Sequence, residues 1–244
     1  MTLATPNRKS KNLILNSLPP SALPSIERYL ESVDLLTGQV IYQFNAPIRY
    51  VYFIEQGLVS LVKSMKDGRT VEIGIVGIDG LTGVNALLGI GTAAFESVVQ
   101  IPGYARRIPL NVLRREAENH EPLRTLLLRY AHFLLSAVAQ TAACHRLHSL
   151  DERCCRWLLL AQDNAQSDSF PLTHEFLAVM LGVGRSYVSV TATALRRQGL
   201  IEYARGWVTI TDRSGLEASA CECYGAVRDE FERLFGIRRK RRQR

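Results

Sequence analysis

The first 119 residues contain neither histidine nor cysteine. That absence excludes an iron-sulfur cluster held by N-terminal cysteines and a haem or metal ligated there by imidazole or thiolate. Basic side chains are missing from an internal stretch as well: between Arg69 and Arg106 there is no lysine and no arginine. Nothing in that stretch would hold a phosphate by charge. Long apolar runs are also absent. The opening segment MTLATPNRKSKN has no signal-peptide h-region, and the most apolar helical segment, about Leu123 to Cys144, is broken by Arg129, His132 and Gln140. A cytoplasmic protein without membrane contact is expected. The five cysteines, an odd number, fit reduced thiols better than a disulfide framework.

What remains is ample for a folded globular chain. At 244 residues and 47% hydrophobic composition, one large or two modest domains are expected. The formal charge of +7 suggests a nucleic-acid partner, but the last seven residues, Arg238 to Arg244, supply six positive charges and leave +1 for the rest. Such a tail adds sequence-independent, salt-sensitive attraction to phosphates. Specific recognition has to be sought elsewhere.

Residues 12–36 read as a short helical lead-in punctuated by Pro19, Pro20 and Pro24. From Leu36 to about Leu110, glycines interrupt short β-branched and aromatic runs such as VYFI, LVSLV, VEIGIV and SVVQI, the pattern of a compact all-β roll. Asp67-Gly68 predicts a hairpin between 58–65 and 70–76. After Pro109 the period becomes helical, and a long segment from about Pro122 to Ser149 carries Leu127, Ala131, Leu134, Val138, Thr141, His145 and His148 at alternating steps of four and three. That seam predicts a dimerisation helix, although a helix packed within its own domain also fits. Ser149 or Asp151 caps the next helix.

The most informative stretch is Leu172 to Ile210, LTHEFLAVMLGVGRSYVSVTATALRRQGLIEYARGWVTI. Thr173 is placed to cap a helix start, with Leu172 and Leu177 set to close a hydrophobic staple. Gly182 supplies a left-handed stop and Gly184 opens a second helix, 185–198. In it Val188, Thr191, Ala192 and Leu195 form a buried stripe, leaving polar side chains free at the N-terminal end. Two short strands around Ala204, Arg205 and Gly206 then make a wing. An antiparallel helix pair in a core would share the stripes and the glycine turn, but the wing favours a DNA reader.

The order of roll, long helix and winged helix-turn-helix resembles the Crp/Fnr family of bacterial transcription regulators. YVYFIEQGLVSLV at 50–62 looks like the family's first roll hairpin, and LTHEFLAVMLGVGRSYVSVTATALRRQGLI at 172–201 like its helix-turn-helix. The likeness runs from about Asn12 to Cys223 and is strongest in Asp151 to Asp212. It implies an α+β chain with a cyclic-nucleotide-binding-like jelly roll at 12–118, a dimerisation helix at 119–149, a winged helix-turn-helix domain at 150–223, and a helix end with the basic tail at 224–244. It also implies a homodimer on double-stranded DNA, with RNA polymerase as a further candidate partner and an effector that the sequence does not name. Carried over by position, Arg185, Ser186 and Val190 fall where family members read bases, with Ser189 also facing the groove. Thr173, Tyr187 and Arg205 are assigned to phosphates.

The family's cyclic-nucleotide chemistry, an arginine for the phosphate and a glutamate for the ribose, is not matched. Gly83-Val84 stands where Gly-Glu is expected, and Glu96-Ser97 where arginine followed by Ser or Thr is expected. Cyclic AMP and cyclic GMP are therefore not expected ligands, and no cofactor is assigned. Cys144, His145, His148, Cys154 and Cys155 gather around the hinge between long helix and reader, but their spacing matches no zinc pattern and no metal is expected. Cys221 and Cys223, read as lying on one helix, are expected to point in different directions. The rival from another class is a cupin-like catalytic barrel with a helical appendage. It lacks the strand histidines such a site needs, so an enzyme is not expected.

Overall fold

The computed structural model describes residues 10–238, so the basic tail lies outside the described residues except for Arg238. The lead-in forms two short helices, α1 (Leu13–Asn16) and α2 (Leu23–Glu27). Buried Asn12 caps α1, accepting from Ile14 and Leu15 N–H at 3.1 and 3.0 Å, while its amide donates to the carbonyls of Ile54 and Gly80 at 2.8 and 2.7 Å. One side chain thus anchors the lead-in to the roll behind it.

The roll comprises β1 (Glu31–Leu35), β2 (Val40–Tyr42), β3 (Tyr50–Ser64), β4 (Thr70–Val76), β5 (Leu81–Thr82) and β6 (Glu96–Pro109). Its strands pair antiparallel in the order β1-β6-β3-β4, with β2 also on β6 and β5 on β3. The Asp67-Gly68 hairpin joins β3 to β4 as expected. Two departures are informative. β1 begins inside the stretch read as lead-in, and VYFI and LVSLV belong to one 15-residue strand rather than two. Gly57 makes that continuity feasible: at φ +97° it takes up a register shift against β6, and a Cβ there would sit 2.6 Å from the Ile101 carbonyl oxygen.

After the roll come α3 (Leu110–Asn119), the long helix α4 (Glu121–Leu147) and α5 (Leu150–Ala165). The reader continues with β7 (Ser169–Pro171), α6 (His174–Leu181), α7 (Arg185–Arg197), β8 (Ile201–Ala204), β9 (Trp207–Ile210) and α8 (Arg213–Ser219), and α9 (Cys223–Phe235) closes the described chain. The division at residue 223 meets the first residue of α9. That helix packs back on α4, with the Phe133 and Phe231 rings edge to face at 5.3 Å.

The seam read along α4 does not coincide with the apolar stripe that this chain leaves free. Leu127, Leu134 and Thr141 are buried against this chain's own core, whereas the free apolar stripe runs through Leu128, Leu135 and Ala142, with Leu135 69% exposed. Ala131, Val138 and His145 lie half-buried between the two rows. The reason is the roll: Leu123, Leu126, Leu127, Tyr130 and Phe133 fill it, which fixes the helix rotation. Among the described residues no single helix is long and apolar enough to cross a membrane.

Candidate nucleic-acid interface

Ser149, one of the two candidate caps, opens the reader with a reciprocal box: its hydroxyl accepts from Glu152 N–H, and Glu152 accepts from Ser149 N–H at 2.8 Å. Thr173 caps α6, accepting from Phe176 N–H at 3.1 Å. Leu172 and Leu177 are both buried in the reader core, in keeping with the staple. Gly182 adopts φ +64° at the end of α6, and the chain bends by 105° into α7. That lies within the usual helix-turn-helix range. The second helix ends at Arg197, one residue short of the expected span, with Gln198 as its cap.

Val188, Thr191, Ala192 and Leu195 of α7 are buried, so the opposite side is set outward by packing alone. Arg185, Ser186, Tyr187 and Val190 all lie on it; Tyr187 is 65% and Val190 70% exposed. An exposed valine and tyrosine on this helix leave apolar surface without a partner among the described residues. Ser189 is placed differently. Half-buried, it donates to the Arg185 carbonyl at 3.1 Å and sits 3.0 Å from His174 Nδ1. Its hydroxyl is already engaged inside the motif.

His174 is the neighbour of these side chains that the sequence reading missed. Its ring packs on Tyr203 at 4.5 Å, and burial, assisted by the Arg185 charge, holds its pKa below the usual histidine value. Its ring therefore links α6, α7 and the wing. Thr173 followed by a histidine at the first helical position was the available signal.

The wing is three-stranded, since β7 pairs with β9 beside the expected β8-β9 hairpin. Arg205 sits at its tip with φ +50°, exposed, next to Gly206 at φ +78°. Trp207, 52% exposed, extends the same edge and was not anticipated. Thr173 is exposed too, although one lone pair is spent on its cap.

The reader is coupled to the roll by buried contacts. Trp157 Nε1 donates to Glu72 Oε1 at 3.0 Å, and the Ser60 hydroxyl bonds the other carboxylate oxygen of Glu72. Burial pushes Glu72 up from the ordinary 4.5 to about 8, against the opposing pull of Ser60, Trp157 and the Arg156 charge. The turn of the helix-turn-helix also touches β4: a Cβ on Gly182 would lie 3.1 Å from Val71. Movement of the roll would therefore be felt at the turn that orients α7.

In the roll, Gly83 at φ +82° starts a short 3-10 turn, Val84–Leu88, and Val84 is buried. Glu96 opposes Val62 at the start of β6, while Ser97 beside it is buried. Val84 and Glu96, the two residues compared by position with the family's ribose and phosphate ligands, are thus an apolar side chain and a carboxylate. The hinge cysteines divide into two groups. Cys154 and Cys155 are buried in and beside the reader core, while Cys144 and His148 meet Cys221 and Cys223 instead. The expectation that Cys221 and Cys223 diverge is wrong, because α9 begins only at Cys223 and Cys221 lies in the link before it.

Comparison with known proteins agrees with this layout. Residues 152–219 match the Crp-like helix-turn-helix domain and residues 32–120 the cyclic nucleotide-binding domain. The transcriptional regulator LdrP of Thermus thermophilus is 28% identical over 193 residues, spanning 75% of this chain and 93% of LdrP. A CRP-family transcriptional regulator of known structure from Thermus thermophilus is 26% identical with a TM-score of 0.64, covering 77% of this chain and 96% of that one. FixK2 from Bradyrhizobium japonicum shares the fold at 17% identity and a TM-score of 0.63, covering 79% of this chain and 98% of its own. Both functional modules are matched in the order found here, and the protein belongs to the Crp/Fnr family of DNA-binding transcriptional regulators.

Proposed function

We propose that the protein acts as a cytoplasmic homodimer that reads a roughly palindromic operator, one α7 per major-groove half-site. The half-sites would be spaced by about one helical turn, ~34 Å. The observation that carries this reading is the one-sided packing of α7, which leaves Arg185, Ser186, Tyr187 and Val190 outward at its N-terminal end. Arg185 has the planar fork to contact guanine O6 and N7 together, worth about 1–3 kcal/mol of discrimination. Val190 offers only a methyl surface, suited to thymine, and Ser186 a single hydroxyl. Ser189 contributes through its hold on His174 and the helix start. Thr173, Tyr187 and Arg205 flank this face as phosphate contacts, and the basic tail adds salt-sensitive attraction.

The free stripe Leu128, Leu135 and Ala142 supports dimerisation through α4. The roll then acts as an input domain whose effector is not a cyclic nucleotide held by the family's chemistry. Val84 and Glu96 support that exclusion, and calorimetry with cyclic AMP should give no heat of specific binding. RNA polymerase is a further partner in this reading, and the protein is a regulator rather than a catalyst. Selection of bound sequences from randomised DNA at fixed salt tests the proposal, with a two-fold-symmetric motif as the expected outcome.

A further inference from the structure

Where the long helix ends and the last helix begins, four metal-binding side chains converge. One ligand atom from each of Cys144, His148, Cys221 and Cys223 lies within 4.8 Å of all the others. Cys144 Sγ is 3.5 Å from Cys221 Sγ, and Cys223 Sγ is 3.6 Å from His148 Nδ1. A tetrahedral zinc site with metal–sulfur bonds of about 2.3 Å and metal–nitrogen bonds of about 2.0–2.1 Å has ligand–ligand edges of about 3.5–3.8 Å. Both measured edges fall in that range. The three cysteines are buried and form a cluster separate from the roll and reader cores.

The surroundings suit a metal better than a chance meeting of thiols. His148 Nε2 lies 2.9 Å from Glu222 Oε2, which places the ring proton on Nε2 and leaves the Nδ1 lone pair facing the sulfurs. A carboxylate behind a ligating histidine is the usual outer support of such sites. Gln140 Nε2 donates to Cys223 Sγ at 3.0 Å, and the Arg156 guanidinium reaches Cys144 Sγ at 3.9 Å. Both favour thiolate. Three thiolates and one divalent ion carry a net charge of minus one, and the Arg156 cation would balance it. Arg156 Nε is buried without a partner.

We propose that Cys144, His148, Cys221 and Cys223 bind one zinc ion tetrahedrally, through three thiolates and His148 Nδ1. Binding releases the three thiol protons and leaves the Nε2 proton of His148 on Glu222's side, with no change of oxidation state. Position gives the ion its role. Cys144 and His148 precede α5 and the cysteine pair follows α8, so the metal closes the reader at its base and clamps it to the end of α4. The orientation of α7 relative to the dimer helix would then depend on metal occupancy.

The test uses the full chain, expressed in zinc-containing medium and purified under reducing conditions without chelator. Elemental analysis should give one zinc per chain, and Cys223→Ser should lose it. Glu222→Gln alters an exposed side chain that no core depends on, and should weaken zinc affinity about 10- to 100-fold in competition with a chromophoric chelator. Cobalt(II) added to metal-free wild-type protein should give the intense visible bands of a tetrahedral site together with thiolate-to-cobalt charge transfer. Metal-free protein with a weak octahedral cobalt spectrum would overturn the proposal. So would a Cys144–Cys221 disulfide in freshly reduced protein that excludes zinc, or zinc affinity unaffected by both substitutions.

Discussion

In the reader, the side chains assigned to DNA lie between Thr173 and Arg205, all exposed but the half-buried Ser189, and each is set there by neighbours a turn or a hairpin away. In the roll, Val84 on a 3-10 turn and Glu96 at the start of β6 take their places only through long-range pairing of β5 and β6 with β3. The outward surface of the reader is thus set locally, whereas the places of Val84 and Glu96 depend on the assembled roll. The two halves are nonetheless one mechanical object, because Glu72, Ser60 and Val71 of the roll press directly on Trp157, Met180 and Gly182 of the reader.

The sharpest way to separate the halves is to break one core and leave the other. Val188→Asp buries an uncompensated carboxylate in the reader and should cost about 3–5 kcal/mol. Unfolding followed by near-UV circular dichroism and limited proteolysis should show a lost reader over a folded roll. A single cooperative loss of both would mean that the contacts across Glu72 bind the halves more tightly than either core. A smaller effect is expected from Leu135→Glu, which places a charge on the free stripe of α4 and removes little from the monomer. Sedimentation should show dimer affinity weakened at least tenfold, roughly 1.4 kcal/mol, with the melting temperature of the isolated chain unchanged.

A further change is one of slope. Glu72 binds its proton up to about 8 when folded but only to 4.5 when unfolded, so the unfolded chain loses that proton first as pH rises. This contribution to stability is complete below pH 4.5 and declines as pH rises towards 8. Glu72→Gln should flatten that decline in denaturation curves taken across the window. An unchanged slope would place the pH sensitivity elsewhere, away from the seam between roll and reader.

The same contrast explains what the sequence revealed. Thr173, Gly182, Gly184 and the Ala204-Arg205-Gly206 tip are local signals, and all stand where helical spacing and turn chemistry put them. The three-residue strand β7 was not legible, since Ser169–Pro171 is too short to show alternation and owes its pairing to β9. On α4 two apolar rows run side by side, and only the docked roll decides that Leu127 and Leu134 turn inward while Leu128 and Leu135 stay free. The Cys221-x-Cys223 pair misled for a related reason: helical spacing does not hold at Cys221, two residues before the helix starts.

The central claim is that specificity lies in the exposed first turns of α7. Its most direct test is a paired selection from randomised DNA, wild type against Arg185→Ala, at one salt concentration. The account predicts a two-fold-symmetric wild-type motif from which the variant loses preference at one base pair in each half-site, worth about 1–3 kcal/mol, with symmetry and spacing retained. Uniform weakening on all sequences, with the base preferences intact, would contradict it and move Arg185 to the phosphate backbone.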